Sequence, residues 1–177
     1  MRTLILFFLT YAVILLQSAV IPVFVPRSYV VNLFVVFAVN VSFFRRGVEL
    51  LFWVGVLGFL VDSLSAFPLG FNIVLLPALA LLAKYLLKRF WGKPSLFAAV
   101  ALTGFLLFIY DFASFLARLL LAKVPGLATV TMSAYTYTIG TVLSAALINC
   151  FLIAPLFYVI LKSLNELFEY WEQKRKL

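Results

Sequence analysis

Few residues in this chain could take part in acid–base or metal chemistry. The 177 residues include no histidine, so the commonest general base and the commonest metal ligand are both missing. Only three acidic residues, Glu49, Asp62 and Asp111, precede the C-terminal segment 162–177. No lysine lies deep in an apolar stretch beside a serine, and no glycine-rich phosphate loop occurs. We therefore expect a protein that is not an enzyme and that holds no cofactor or metal.

Two of these carboxylates, Asp62 and Asp111, stand inside long apolar stretches. A charge at the middle of a bilayer costs roughly 3 kcal/mol, so such groups usually face a partner or the interior of a helix bundle. Arg118 follows Asp111 by seven residues, two helical turns along the same face. Three interpretations are open for the carboxylates: an interior salt bridge, binding of a partner or solute, and a proton relay. Glu49 follows the 45–46 arginine pair at a helix start, which predicts a local ion pair.

Small residues recur at helical spacing in two of the apolar stretches. Small side chains let helix backbones approach closely in lipid, so both patterns predict seams of helix contact. The positions are Gly55, Gly58 and Asp62 in the first pattern, and Thr136, Gly140 and Ser144 in the second. The polar residues Asn72 and Asn149 also belong to apolar stretches, and we expect each of them to need a hydrogen-bonding partner.

The elements that carry these residues are predicted to be membrane-spanning helices. Apolar residues make up 66% of the chain and charged residues 11%, against about 45–50% and about 25% in soluble domains. At roughly 20 residues per span, the chain has room for five or six transmembrane helices and no soluble catalytic or nucleic-acid-binding domain. Breaks in hydropathy predict an all-α integral membrane protein of six spans. The spans are 3–25, 28–44, 48–64, 71 to the basic segment 84–93, 95–121 and 132–161.

The basic residues predict the orientation of these spans. With both termini in the cytoplasm, the inner side holds eleven basic residues and the outer side three, in agreement with the positive-inside rule. The inner residues are Arg2, Arg45, Arg46, Lys84, Lys88, Arg89, Lys93, Lys162, Lys174, Arg175 and Lys176, and the outer residues are Arg27, Arg118 and Lys123. The net charge of +8 is therefore expected to set topology, not to bind nucleic acid. Contact with anionic membrane lipids is an expected by-product.

The chain is predicted to form one domain followed by a distinct tail. Residues 1–161 make the six-helix transmembrane domain, and residues 162–177 make an amphipathic cytoplasmic tail. Apolar residues of the tail follow the i, i+3, i+4, i+7 pattern of one helix face, namely Leu164, Leu167, Phe168 and Trp171. The tail either extends the sixth helix or lies on the membrane surface. It is either a solvated helix end or a docking site for a cytoplasmic partner.

One ordered series of short motifs resembles a known bacterial family. The series is Pro26-Arg27-Ser28-Tyr29-Val30, an apolar span, Arg45-Arg46-Gly47, Gly55-Val56-Leu57-Gly58-Phe59-Leu60-Val61-Asp62 and Pro68-Leu69-Gly70-Phe71-Asn72. In order and spacing it resembles the rod shape-determining membrane protein family MreD, over roughly residues 22–83, and the rest agrees in hydropathy. The matched motif positions, which shape the fold or touch a partner, are Gly55, Gly58, Asp62, Pro68 and Gly70.

The resemblance implies a scaffold role in the machinery that elongates the peptidoglycan wall and determines rod cell shape, in the bacterial inner membrane. MreD-like proteins bind the bitopic protein MreC, and the complex works with a RodA-type glycosyltransferase, a class B penicillin-binding protein and the actin-like MreB. On this view the candidates for helix packing or partner binding are Pro26, Gly55, Gly58, Asp62, Pro68, Gly70, Asn72, Asp111, Arg118 and Gly140.

The same family is thought to resemble the S components of energy-coupling-factor vitamin transporters, which are six-helix proteins with inner termini. That likeness supplies the alternative function, a small-solute-binding membrane subunit. S components typically dock their coupling subunit through an A-x-x-x-A seam on the first helix. Here Leu16 follows Ala12 and Val23 follows Ala19 at that spacing, so the missing seam disfavours the transporter function.

Overall fold

The computed structural model describes residues 2–24, 32–45, 47–64, 70–121 and 147–174 of the chain. Three of the predicted site residues, Pro26, Pro68 and Gly140, lie outside these ranges, as does the whole predicted seam around Gly140. Every regular element within the described ranges is a helix.

Six helices make up the described part of the chain. We number them α1 (residues 2–24), α2 (Leu33–Phe44), α3 (Gly47–Leu64), α4 (Phe71–Trp91), α5 (Leu96–Leu121) and α6 (residues 148–174). Three of them contain a π-helical turn, at Leu16–Val20, Leu87–Trp91 and Ile148–Ile153. All except α2 are long and apolar enough to cross a membrane. The described chain therefore has the helix lengths and composition of a multi-pass membrane protein.

The second predicted span, 28–44, is helical over only part of its described residues, and its residues 28–31 lie outside the described ranges. Asn32 has a non-helical backbone, with φ −119° and ψ 81°, and its side chain accepts a hydrogen bond from the backbone N–H of Val35. The helix therefore begins at Leu33, and its 12 residues extend about 18 Å, against ~30 Å of bilayer hydrocarbon. Nine of these residues are buried. The other five helices pack around α2, which forms the centre of the bundle.

The bundle has two distinct ends. The first and the last described residues of the chain both lie at one of them. At the start of α2, the Asn149 side chain of α6 accepts a hydrogen bond from Asn32 N. Beyond the last residue of α2, the ring centroid of Phe168, also in α6, lies 6.0 Å from Cζ of Arg45. Leu6, near the start of α1, lines the same cavity as Arg45 and Phe168. We call these the Asn32 end and the Arg45 end; which of them faces the cytoplasm stays a prediction.

The last helix continues into the predicted tail as far as Lys174, the last described residue. Its regular α-helical part runs from Ala154 to Lys174. The tail therefore extends the sixth helix past Leu161, which was one of the two predicted alternatives. The apolar residues of the predicted tail face do not share one environment. Phe168 is 8% exposed, whereas Leu167 is 54% exposed. The side chain of Phe168 therefore belongs to the bundle, and Leu167 faces outward.

Candidate functional site

The Asp62 carboxylate lies at the first turn of α4. Asp62 is 3% exposed, near the end of α3. Its Oδ1 accepts hydrogen bonds from the backbone N–H of Asn72 (2.9 Å) and from Asn72 Nδ2 (2.8 Å). Its Oδ2 accepts hydrogen bonds from the backbone N–H groups of Gly70 (2.9 Å) and Ile73 (3.1 Å). Both carboxylate oxygens therefore bind the start of the next helix.

The residue at the N-cap of α4 has no side chain, which explains why α4 uses Asp62. The first N–H groups of a helix have no partner within the helix, and an N-cap Ser, Thr, Asp or Asn usually accepts their hydrogen bonds. Gly70 occupies that position with φ 109°, a backbone conformation that favours glycine. Asp62 supplies the missing oxygen atoms from the preceding helix, and its negative charge suits the positive end of the helix dipole.

This capping contact gives Asp62 a role that sequence analysis did not anticipate. The salt bridge, the bound ligand and the proton relay stay predictions for Asp62. The described hydrogen bonds add a structural role, because they hold α3 and α4 together within one chain. A signal was present in the sequence, because an N-terminal helix position occupied by Gly70 leaves N–H groups that a nearby carboxylate can bind.

The backbones of α3 and α4 approach each other closely at Gly58. A Cβ placed on Gly58 would lie 2.8 Å from the carbonyl carbon of Asn72 and 2.9 Å from Cα of Ile73. The predicted small-residue seam therefore exists at Gly58. Gly55 takes no part in it, since no described heavy atom lies within 4 Å of the position that its Cβ would occupy.

Asn72 connects this hairpin to α5. Its Oδ1 accepts a hydrogen bond of 2.9 Å from the hydroxyl of Tyr110, while its Nδ2 donates to Asp62. The expectation that Asn72 needs a hydrogen-bonding partner is therefore confirmed. Tyr110 was missed by sequence analysis, because nothing in its spacing separates it from other aromatic residues of α5. The chain Asp62–Asn72–Tyr110 joins three consecutive helices.

A second set of polar contacts surrounds the start of α2. The Gln17 side chain of α1 accepts a hydrogen bond of 2.9 Å from Leu33 N. The Asn149 side chain of α6 accepts one of 3.0 Å from Asn32 N, which confirms that Asn149 has a polar partner. The Asn32 side chain also lies close to the Tyr110 hydroxyl. Both sets therefore form one polar network at the Asn32 end, in which side chains of other helices cap α2 and α4.

Asp111 and Arg118 lie on the part of α5 that extends past this network. Asp111 follows Tyr110 directly, so it lies at the level of the Asp62 hairpin, and its own side chain is exposed. The described part of α5 continues for ten residues beyond Asp111, about 15 Å. Arg118 is half-buried and close enough to Asp111 for an electrostatic interaction. Asp111 also interacts electrostatically with Tyr110, which hydrogen-bonds to Asn72, so Asp111 lies next to the chain Asp62–Asn72–Tyr110.

Charged side chains also fix the Arg45 end. Arg45 Nη1 lies 3.7 Å from Glu49 Oε1, which confirms the predicted local ion pair. The ammonium group of Lys84 donates a hydrogen bond of 2.8 Å to the backbone carbonyl of Arg45. A cation at the C-terminal end of α2 is stabilised by the negative end of the helix dipole. Both contacts hold the C-terminal end of α2 in place.

Comparisons with protein-family models, with curated proteins and with solved structures find no match to this chain. Within the described ranges, no three His, Cys, Asp or Glu side chains group as a metal site would require. At the Asn32 end, the described polar side chains accept hydrogen bonds from backbone N–H groups and join helices of one chain.

Proposed function

We propose that this protein is a non-catalytic membrane scaffold of the MreD type in a bacterial cytoplasmic membrane. In this role it binds an MreC-like bitopic protein and supports wall synthesis by a RodA-type glycosyltransferase and a class B penicillin-binding protein. These two enzymes are direct or indirect partners, and the MreB cytoskeleton is a further partner.

The observation that supports this proposal is the geometry of the motif residues. Of the five matched motif positions, Gly58, Asp62 and Gly70 meet in the α3–α4 hairpin, together with Asn72 from the last motif stretch. Gly55 takes no part in this contact, and Pro68 lies outside the described residues. Each residue type has a physical reason to stand at its position: a glycine for close approach, a carboxylate for capping, a glycine for positive φ and an amide for the link to α5. A motif whose members meet in space supports a shared fold better than the same motif in sequence alone.

The partner face that we assign is the exposed side of α5 beyond Tyr110. An exposed carboxylate is costly next to lipid, and a polar group of a second membrane protein would lower that cost. Asp111 is the exposed carboxylate here, and the apolar side chains of Phe112 and Phe115 on the same segment are also exposed. This combination of one charge with large apolar side chains suits a bitopic partner helix.

The test is purification of a tagged full-length copy from the native host in mild detergent, with co-purifying proteins identified by mass spectrometry. We expect an MreC-like protein and wall-synthesis enzymes. The variant Asp111→Asn should lower recovery of the MreC-like protein severalfold. The matched control is Glu166→Gln, because this exposed carboxylate lies near the opposite end of the bundle.

Two results would overturn the proposal. Recovery of a transporter coupling subunit with its ATPases would favour the solute-binding alternative. Normal rod shape after depletion of the protein from a rod-shaped host would remove the role in wall elongation. Equal loss of the MreC-like protein in Asp111→Asn and Glu166→Gln would keep the scaffold role and reject the assigned face.

A further inference from the structure

The turn between α4 and α5 carries three exposed positive charges. We call residues 87–95 the basic turn, and within it Lys88, Arg89 and Lys93 are all exposed. None of the three forms an ion pair with a described carboxylate. The basic turn therefore presents charge that the described chain does not neutralise.

The distribution of acidic residues explains why these cations have no such partner. No aspartate or glutamate occurs between Asp62 and Asp111, and both of these lie towards the Asn32 end. The carboxylates whose side chains are described at the Arg45 end already have partners, namely Glu49 with Arg45, Glu166 with Lys162 and Glu169 with Asn165. The charge of the basic turn is thus available to a ligand outside the chain.

Hydrogen bonds fix the backbone that carries these cations. The N–H of Gly92, a residue with φ 70°, donates a hydrogen bond of 2.8 Å to the carbonyl of Leu87. The Tyr158 hydroxyl of α6 donates one of 3.1 Å to the carbonyl of Pro94. The basic turn is therefore attached to α6 as well as to its own two helices.

Aromatic side chains lie beside the cations. The ring centroid of Trp91 lies 6.0 Å from that of Phe90 and 6.4 Å from that of Phe97. Phe90 is 69% exposed and Phe97 is 71% exposed. Tryptophan at the end of a membrane span typically lies at the level of the lipid headgroups. The basic turn thus combines exposed charge with the aromatic residues of a membrane interface.

The length of α4 places this turn at a membrane surface. The 21 residues from Phe71 to Trp91 extend about 31 Å, which matches the ~30 Å thickness of the bilayer hydrocarbon. With Phe71 at one boundary of the hydrocarbon, Trp91 lies at the other and Lys93 just beyond it. At this depth a cation meets lipid headgroups, and each Lys or Arg near an anionic surface strengthens binding by about fivefold.

We propose that the basic turn binds anionic phospholipid headgroups and anchors the Arg45 end of the bundle at the membrane surface. The three cations attract the phosphate groups, while Phe90 and Trp91 lie at the boundary between headgroups and acyl chains. The net charge predicts lipid contact only in general, whereas the structure assigns it to one turn. The aromatic side chains and the depth favour lipid over an acidic protein segment. This inference does not rest on the scaffold function.

The test measures which lipid surrounds Trp91 in the full-length protein. The chain has three tryptophans, so Trp53→Phe together with Trp171→Phe leaves Trp91 as the reporter. The protein is reconstituted in vesicles of phosphatidylcholine with a minor fraction of phosphatidylglycerol, and one of the two lipids is brominated to quench tryptophan fluorescence. We expect the phosphatidylglycerol fraction sensed by Trp91 to exceed the bulk fraction by about twofold or more.

Trp171 provides a matched control in the same chain. It is exposed near the end of α6, close in sequence to Glu169. The variant Trp53→Phe with Trp91→Phe keeps Trp171 alone, and we expect this reporter to sense the bulk fraction. Equal enrichment at Trp91 and Trp171 would show attraction by net charge and would overturn the assignment to the basic turn.

Charge variants connect the enrichment to the cations. In the protein with Trp91 alone, Lys88→Gln with Arg89→Gln should lower the sensed phosphatidylglycerol fraction to about the bulk value. Lys162→Gln with Lys174→Gln removes the same charge from exposed positions of α6 and should leave the enrichment unchanged. Enrichment that persists in the first pair, or that both pairs abolish equally, would contradict the proposal.

Two further outcomes separate lipid from other anions. Inorganic phosphate should reduce the enrichment no more than sodium chloride of equal ionic strength, because both then act only by screening. A stronger effect of phosphate would show that the turn binds a free anion instead. A sensed fraction at Trp91 equal to the bulk fraction would reject lipid binding and leave the cations to an acidic protein segment.

Discussion

A carboxylate inside an apolar bundle is stable when its hydrogen bonds compensate for lost hydration. Insertion of a charged residue at the bilayer centre costs roughly 3 kcal/mol, and a hydrogen bond to a charged group contributes about 1.5–3 kcal/mol. Asp62 accepts hydrogen bonds from Gly70, Asn72 and Ile73. These contacts are sufficient to offset the cost of insertion, so Asp62 stabilises the hairpin and need not mark a catalytic or transport site.

The two glycines of α3 give a matched test of the hairpin contact. Gly58→Ala places a methyl group within 3 Å of the backbone of Asn72 and Ile73, so we expect destabilisation by about 1–3 kcal/mol through overpacking. Gly55→Ala meets no described atom and improves helix propensity, so it should be neutral or stabilising by up to about 1 kcal/mol. Thermal melting of both purified variants measures the difference. Equal melting temperatures would mean that α3 and α4 are not in backbone contact at Gly58.

A buried hydroxyl in α5 allows a prediction of opposite sign. Thr103 is fully buried, and its Oγ1 has no hydrogen-bond partner among the described residues. Thr103→Val keeps the shape of the side chain and removes the unpaired hydroxyl, so the melting temperature should stay the same or rise. Thr103→Ser keeps the hydroxyl and removes a buried methyl group, so it should lower the melting temperature. A large loss of stability in Thr103→Val would reveal an essential hydrogen bond.

At the scale of helices, α3, α4 and α5 are coupled through one amide. Asp62 accepts a hydrogen bond from Nδ2 of the Asn72 amide, and the Tyr110 hydroxyl donates one to its Oδ1. A double-mutant cycle of Asp62→Asn and Tyr110→Phe should therefore give a coupling free energy of about 0.5–1.5 kcal/mol. The pair Asp62→Asn and Asp111→Asn should be coupled by less than about 0.5 kcal/mol, because Asp111 interacts with this chain electrostatically, through Tyr110. Strong coupling in the second cycle would place both carboxylates in one network.

The extension of α6 should stabilise the bundle through one face only. Phe168 packs against Arg45, and Leu167 next to it is exposed. Phe168→Ala removes a buried aromatic side chain and should cost about 3 kcal/mol. Leu167→Ala should change the free energy of unfolding by less than about 0.5 kcal/mol. Equal effects of the two variants, measured by thermal melting, would show that the extension does not pack as described.

At the scale of the whole molecule, composition and hydropathy predicted the helical class and most helix boundaries. The start of α2 could not be predicted, because Asn32 interrupts an otherwise apolar run only through its capping contact. Nor could the position of each helix in the bundle be predicted. The most apolar of the described helices, α2, is also the shortest and lies at the centre. The site residues Asp62 and Asn72 were found from their cost in lipid. Gln17, Asn32 and Tyr110 were missed, because nothing in their spacing separates them from other polar and aromatic residues of the chain.

The orientation of the bundle is the remaining prediction at this scale. The inner basic residues that are described cluster towards the Arg45 end, so the positive-inside rule places this end in the cytoplasm.

Cysteine labelling tests this orientation. Buried Cys150 is the one cysteine of the chain, so wild-type protein is an unreactive control for a membrane-impermeant maleimide. The exposed substitutions Lys93→Cys and Gln173→Cys should be labelled only after spheroplasts are permeabilised. Ser63→Cys, exposed at the Asn32 end, should be labelled in intact spheroplasts. The reverse pattern would invert the bundle and place Asp111 in the cytoplasmic half of the membrane.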